Sequence, residues 1–405
     1  MLTNTKDWQI FLLITFTLLL LDSIMWCYDG HWPGTTANYN TYSIQAEAWL
    51  NGEISIKNYS YLELAFYKEK IFISFPPFPS VVMLPFVLIF GVNTPDTFIG
   101  LLFLSLGILY AYKLARNFIL SKEIALFLAF FVTIASNIIF IMHDAGWVWF
   151  FAQILSFTFT MMALYYATTD KNYHFYFAYL FLAFAIGSRP FQIVYGLVIL
   201  YFMLNRVKNI KTILLYFVPA LLVGVSYALY NYVRFDSFLE FGHNYLPEIT
   251  NSTDGLFNIS YLADNLKTLF LIPEVGEKGI INFPRFNGFS IFILNPIIIV
   301  MLIGFIVYLL SSLLNFKKEQ HKRYNLLILI IFIAIFLHTI FLCMHLTMGG
   351  WHFGNRYLID ILPAIFLLII LFDNYLKNYQ IIYIPFFLYG LIFNTIGTTL
   401  FHLKP

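Results

Sequence analysis

Long apolar runs without a single charge recur along this chain, FLLITFTLLLL near the start and LLILIIFIAIFLHTIFL late on being the plainest. A helix needs about 20 such residues to cross the hydrocarbon of a bilayer, where every backbone N–H and C=O must be satisfied within the segment. The runs therefore specify membrane-spanning α-helices. A spanning β-barrel would instead show short segments of alternating polarity. Composition agrees: 60% of the 405 residues are apolar and 11% charged, against about 25% charged in soluble domains. A water-soluble globule is excluded, and the expected fold class is an all-α polytopic membrane protein.

Spans are expected near residues 9–28, 96–117, 121–142, 147–168, 174–204, 212–231, 291–314, 325–346, 357–375 and 380–402. The run 174–204 is interrupted by GSRP, so it is either two short spans or a re-entrant hairpin; both return the chain to its starting side. That makes about eleven crossings. Lys113, Arg116, Lys171, Arg206, Lys208 and Lys377 fall on one side, the cytoplasmic one by the positive-inside rule, which also holds the N-terminus. The segment 78–92 is short and carries Pro79 and Pro85, so it is laid in the outer interface as a helix. The chain then reads as one transmembrane domain, 1–405: a first span at 9–28, an external loop with interfacial helices at 29–95, spans over 96–231, a second external loop at 232–290, and spans over 291–402. A multi-pass protein of the plasma membrane is expected.

The net charge of +2 excludes nucleic acid as a partner. Cys27 and Cys343 read as buried thiols. Neither a CxxC pair nor an HxxxH or HExxH spacing is present, so no cofactor is expected, although a divalent metal stays open.

Ionisable groups avoid the middle of the spans, Asp22 excepted, which weakens an ion-coupled transporter. They gather at the outer span ends, the geometry of an interfacial enzyme. Asp22, Trp26 and Asp29 stand at i, i+4, i+7 on one helix face. Asp22 needs a polar partner from a neighbouring helix, and Asp29 in the wet interface is a candidate general base. NYNTYSIQAEAWLNGEI reads as a helix on the membrane with Asn40, Ile44 and Glu47 in one stripe, making Glu47 a second candidate base. Glu63, Lys68 and Lys70 approach a rigid Phe-Pro-Pro turn, and Lys70 suits a phosphate as a point charge. Arg189 sits at the apex of the broken run and needs an anion. Arg356, four residues before Asp360, either pairs with it or meets a ligand. His143 and Asp144 in HDAGW, His243 in FGHNYLPE and Trp351 in GGWHFGNR share that face. So do six of the seven tryptophans, as an interfacial belt or as rings that stack on sugar or prenyl surfaces.

In order, NYNTYSIQAEAWLNGEI, FPPFPSVVMLPFVLIFG, SRPF, FGHNYLPE, GLFNISYLADNL, FNGFSIFILNP and GGWHFGNRYLIDILPAIFLL cover nearly the whole chain. Together they resemble the C-type membrane glycosyltransferases, especially an uncharacterised bacterial group. The resemblance implies a large first external loop, a polyprenyl-phosphate-linked sugar as donor, and a lipid, glycan or protein acceptor at the outer face. It implies donor phosphate binding by Lys70, Arg189 and Arg356, with sugar or acceptor contacts at Asn40, His143, Asp144, His243 and Trp351. Relatives of the protein O-mannosyltransferase and aminoarabinose transferase type carry an acid where this chain has Asn38 and Asn40. Asp29 or Glu47 would then serve as base, unless the acceptor chemistry differs. A transporter or flippase for a lipid-linked substrate, and a non-catalytic assembly factor, are the other classes left open.

Overall fold

The computed structural model describes residues 6–30, 32–57, 63–119, 121–250, 252, 254–276, 281–314 and 319–403. Helix α1 (Asp7–Asp29) buries Ile10, Ile14, Leu18, Asp22 and Met25, one face at helical spacing. Leu12, Phe16, Leu20 and Ile24 point outward, as lipid-facing residues do. The helix stops at Gly30, whose φ of +82° is left-handed. The first loop folds as α2 (Thr41–Leu50), a hairpin of β1 (Leu64–Tyr67) and β2 (Lys70–Ile73), and α3 (Phe78–Phe90). The Phe-Pro-Pro turn starts α3, and Phe78 stacks on Phe184 with ring centroids 4.3 Å apart.

Then come α4 (Asp96–Arg116), α5 (Lys122–Ile134), α6 (Ile138–His143), α7 (Val148–Thr168), α8 (His174–Ile186) and α9 (Tyr195–Arg206). Lys113 near the end of α4 reaches Asp7 at the start of α1, 3.0 Å away, so the two run antiparallel. Helix α7 is buried almost throughout and forms the bundle's axis. The run 174–204 divides into α8 and α9 around a 3-10 turn at Pro190–Val194. Arg206 at the end of α9 donates to the carbonyls of Ala167 and Thr169, so the chain does return to the side it left.

Helices α10 (Ile210–Tyr216) and α11 (Val218–Phe235) form one path bent by 43°. The second long loop carries α12 (Pro247–Thr250), α13 (Leu262–Thr268) and a short ladder of β3 (Glu274–Val275) with β4 (Ile281–Asn282). The chain finishes with α14 (Ile291–Leu294), α15 (Ile297–Leu314), α16 (Glu319–Cys343), α17 (Leu362–Leu376) and α18 (Tyr383–Leu403).

Two expected spans are broken. Residues 121–142 divide at Ala135–Asn137 into α5 and α6, and 291–314 divides at Asn295–Pro296 into α14 and α15. The two breaks meet: the Asn137 N–H donates to Asn295 Oδ1 at 3.0 Å, and Asn394 of α18 donates to the Leu294 carbonyl at 2.8 Å. Side chains thus satisfy backbone that the helices give up, which lets the breaks lie inside the bundle. Gly390 packs against the first break so closely that a Cβ there would collide with the Ala135 carbonyl oxygen. Among the described residues five helices are long and apolar enough to cross a membrane, or six with the bent pair, and α3, α8 and α15 are shorter apolar helices. The count of long apolar helices among the described residues is therefore lower than the about eleven crossings expected from the sequence, because several of the apolar runs are divided into shorter helices. The chain is a multi-pass membrane protein. Cys27 is exposed, contrary to expectation, because it leaves the buried face of α1; Cys343 is buried.

Candidate functional site

At the end of the bundle where the two long loops meet, Arg189 and Arg356 flank one ring. Their guanidinium carbons lie 5.1 Å and 5.0 Å from the centroid of Tyr357. Arg189, extended at the start of the 3-10 turn, donates from Nε to Asp360 Oδ2 at 2.5 Å. Arg356 is only 5% exposed and donates to the Gly349 carbonyl from Nε at 3.1 Å and from Nη2 at 2.8 Å. Gly349 has φ +111°, a conformation open to glycine, which lets the carbonyl turn inward. Among the described residues no carboxylate forms an ion pair with Arg356. The site therefore holds two cations around one bonded anion.

Asp360 is the partner of Arg189 rather than of Arg356. Residues Arg356–Ile361 form a 3-10 turn, and with three residues per turn the i+4 position leaves the face of residue i. The local pairing rule for α-helices does not apply there.

A second carboxylate stands in the same field. Glu63 accepts from Trp149 Nε1 at 3.0 Å and lies within electrostatic reach of Arg356 and Tyr42. Its φ of +71° is strained for a residue with a side chain. Beside it the Tyr42 hydroxyl is buried and has no hydrogen-bond partner among the described residues. Two histidines complete the surround. His243 sits edge-on to Phe75 at 5.6 Å, and burial pulls its imidazole down to about 4, with Arg189 and Arg234 adding to the effect. His345, edge-on to Tyr357 at 5.5 Å, is likewise pulled down to about 4, chiefly by burial. Both are neutral near pH 7, so they offer hydrogen bonds without adding charge.

Arg234 fastens the loops together. It is buried, donates to the Ile73 carbonyl at 2.8 Å and to Asn231 Oδ1 at 2.9 Å, and stacks 4.3 Å from Tyr230. The Tyr230 hydroxyl in turn accepts from Gln45 and Trp49 of α2, each at 3.0 Å.

The other residues singled out from sequence lie elsewhere. Asp29 pairs with His143 Nε2 at 2.8 Å, and His143 Nδ1 meets Asp22 at 2.7 Å. The partner of Asp22 is thus a histidine from α6. Asp144 bonds His402 Nε2 at 2.7 Å. Asn40 precedes α2 and donates to the Val92 carbonyl at 3.0 Å. Glu47 is half-buried on α2, Lys70 is exposed on the hairpin, and Trp351 is 70% exposed against Phe286. Of the sequence candidates, Arg189, Arg356 and His243 come together, while Asp29, His143 and Asp144 form a separate cluster. Glu63, His345, Tyr357 and Arg234 join the arginine site without a motif to mark them. Their only signal was a charge or ring next to a polar break.

No protein-family model matches the sequence, and no curated protein does. Solved structures do. ArnT from Cupriavidus metallidurans bound to undecaprenyl phosphate is similar at 13% identity, over 97% of this chain and 76% of that one, with a TM-score of 0.51. The apo oligosaccharyltransferase of Archaeoglobus fulgidus is similar at 14% identity, over 99% of this chain and 56% of that one, with a TM-score of 0.49. The oligosaccharyltransferase AglB of the same organism, in complex with an inhibitory peptide and a dolichol-phosphate, is similar at 12% identity, over 96% and 55%, with a TM-score of 0.47. This chain spans little more than half the length of the archaeal proteins. The fold is that of the C-type membrane glycosyltransferases.

Proposed function

From a fold shared with a protein that holds undecaprenyl phosphate, we propose that this chain is a membrane glycosyltransferase that moves a sugar from a polyprenyl-phosphate donor to an acceptor hydroxyl. The observation that carries the reading is the pair Arg189 and Arg356, 5.1 Å and 5.0 Å from the Tyr357 ring centroid, of which only Arg189 is ion-paired among the described residues. A buried guanidinium such as that of Arg356, bonded only to a carbonyl among the described residues, is costly alone and favourable beside a phosphate. In the transfer, the bond from the sugar C1 to the phosphate oxygen breaks and the electron pair leaves with the phosphate, where the two arginines stabilise it. The acceptor oxygen bonds C1 and its proton passes to a carboxylate. Glu63 is best placed for that role, since it stands in the field of Arg356. Asp29 is engaged by His143, and Glu47 has no described link to the arginines. His243 and His345 supply neutral contacts to sugar hydroxyls, with Tyr39 and Trp149, 5.0 Å apart, as an aromatic wall. Lys70, exposed on the hairpin, is a peripheral contact for phosphate.

The test is saturable binding of polyprenyl phosphate to protein in lipid nanodiscs. Arg189→Ala with Arg356→Ala should lower affinity at least tenfold while thermal melting shows a folded protein. Because Arg189 also pairs with Asp360, Arg356→Gln alone is the cleaner variant and should lose most of the effect. Absence of binding by the unmodified protein would leave transport or assembly as the reading to pursue. We place the site at the exterior of the plasma membrane with the N-terminus inside. Exposed Cys27, beside Asp29, should then react with an impermeant maleimide added to whole cells.

A further inference from the structure

We propose that Asn287, in the second external loop, is a positioning residue for Arg356, acting through the Gly349 carbonyl, and that affinity for the donor phosphate depends on it; the second half rests on the transferase reading. Arg356 directs Nε and Nη2 at that one carbonyl, at 3.1 Å and 2.8 Å. The carbonyl belongs to a pair of glycines with φ +111° at Gly349 and +73° at Gly350, the least constrained backbone a chain can have. Contacts from outside the pair must therefore fix where it points. Asn287 supplies them: its Oδ1 accepts from the Met348 N–H at 3.0 Å, and its own N–H donates to the Gly350 carbonyl at 2.9 Å. One residue thus grips the chain on both sides of Gly349.

The surrounding register shows why a side chain is needed there. The His352 N–H donates to the Arg285 carbonyl at 2.9 Å, Phe286 bridges to Trp351, and the Phe289 N–H donates to the Gly354 carbonyl at 3.2 Å. Residues 285–287 thus lie antiparallel along 350–352, the second loop laid against the one that ends at Arg356. These backbone rungs meet residues 350, 352 and 354, all beyond Gly349, while the Asn287 side chain holds Met348 on the near side. Asn287 itself has φ +60°, a left-handed conformation that asparagine tolerates and most residues with side chains do not. Strain of this kind persists where the surrounding contacts over-determine a geometry, and it gathers at ligand clamps. Since Arg356 has no ion pair among the described residues, its two bonds to the Gly349 carbonyl aim the guanidinium and leave further N–H groups for an anion. Moving that carbonyl moves the charge.

The test separates the side-chain bond from the backbone strain. Asn287→Gly keeps the left-handed backbone and removes only the acceptor, so the melting temperature of the full-length protein in nanodiscs should hold steady. Phenylglyoxal, which modifies accessible guanidinium groups, then reads the placement of Arg356 without any ligand, the adducts being counted by mass spectrometry. Arg356 is 5% exposed and should react slowly in the wild-type protein. One lost hydrogen bond shifts an equilibrium about five- to tenfold, so Asn287→Gly should speed modification of Arg356 by that factor and leave Arg285 unchanged. Asn287→Asp, which keeps the acceptor, should return the slow rate. Affinity for polyprenyl phosphate should fall about five- to tenfold in Asn287→Gly and no further when Arg356→Gln is already present. Two results overturn the proposal: modification of Arg356 at the same rate in Asn287→Gly as in the wild type, or an affinity loss of equal size with and without Arg356. Should the wild-type protein bind no polyprenyl phosphate, the transferase reading fails, and the rate of Arg356 modification still decides whether Asn287 positions it.

Discussion

Two polar clusters in this apolar molecule are built on opposite principles. Around Tyr357, arginines outnumber the carboxylate they bond, and the histidines are pulled towards neutrality. Around His143, carboxylates converge on histidines held from behind. The first leaves a buried guanidinium without an ion-pair partner among the described residues, while the second holds each imidazole between two acceptors. Both sit at helix ends, and both draw residues from parts of the chain that are distant in sequence. Each cluster thus gathers charge from distant parts of the chain at a helix end and holds it in its own set of ion pairs.

The sharpest way to break the contrast is Glu63→Gln. If the arginine cluster is catalytic, turnover should fall by about 10²–10⁴ while polyprenyl phosphate still binds, as measured by paired transfer and binding assays in nanodiscs. Next comes Asp360→Asn, which removes the buried partner of half-buried Arg189. Stability should fall by about 3 kcal/mol, read by thermal melting, while phosphate affinity rises, because the anion that competes for Arg189 is gone. Acid should act third. With folded values near 4 for His243 and His345 and about 6.5 when unfolded, the unfolded chain takes up more protons between those limits. Stability present above pH 6.5 should decline as pH falls towards 4, and His345→Asn should flatten the slope of melting temperature against pH. The smallest effect belongs to Lys70→Ala. An exposed side chain should change stability by no more than about 0.5 kcal/mol, and any loss of phosphate binding should vanish at high salt.

Much of this was legible from the residues themselves. Apolar runs announced the helices, and Arg189 stood out because a guanidinium in the middle of such a run demands an explanation. Arg356 stood out by its place four residues before Asp360, which left it either an ion pair or a ligand to meet. The pairing of Asp360 was not legible, since the i, i+4 rule presupposes an α-helix and the segment is 3-10. The breaks at Ala135–Asn137 and Asn295–Pro296 escaped because each is licensed by the other and by Asn394, contacts that only the folded bundle creates. His402 escaped for a like reason, standing 258 residues from Asp144. Asp29 and Asp22 were correctly read as sharing a face, while their common partner lay out of reach of any local rule.

The buried face of α18 runs through Gly390, Asn394, Gly397 and Thr398, and His402 follows one turn later. Gly390 fits a break in α5–α6, Asn394 serves a carbonyl of α14, and His402 meets Asp144. Inserting or deleting one residue between any two of these rotates everything beyond it by about 100°. The last helix should consequently accept many substitutions at outward Ile392, Ile396 and Leu400 yet tolerate no change in its length. Among homologous chains, gaps should fall in the two long loops and never within α18.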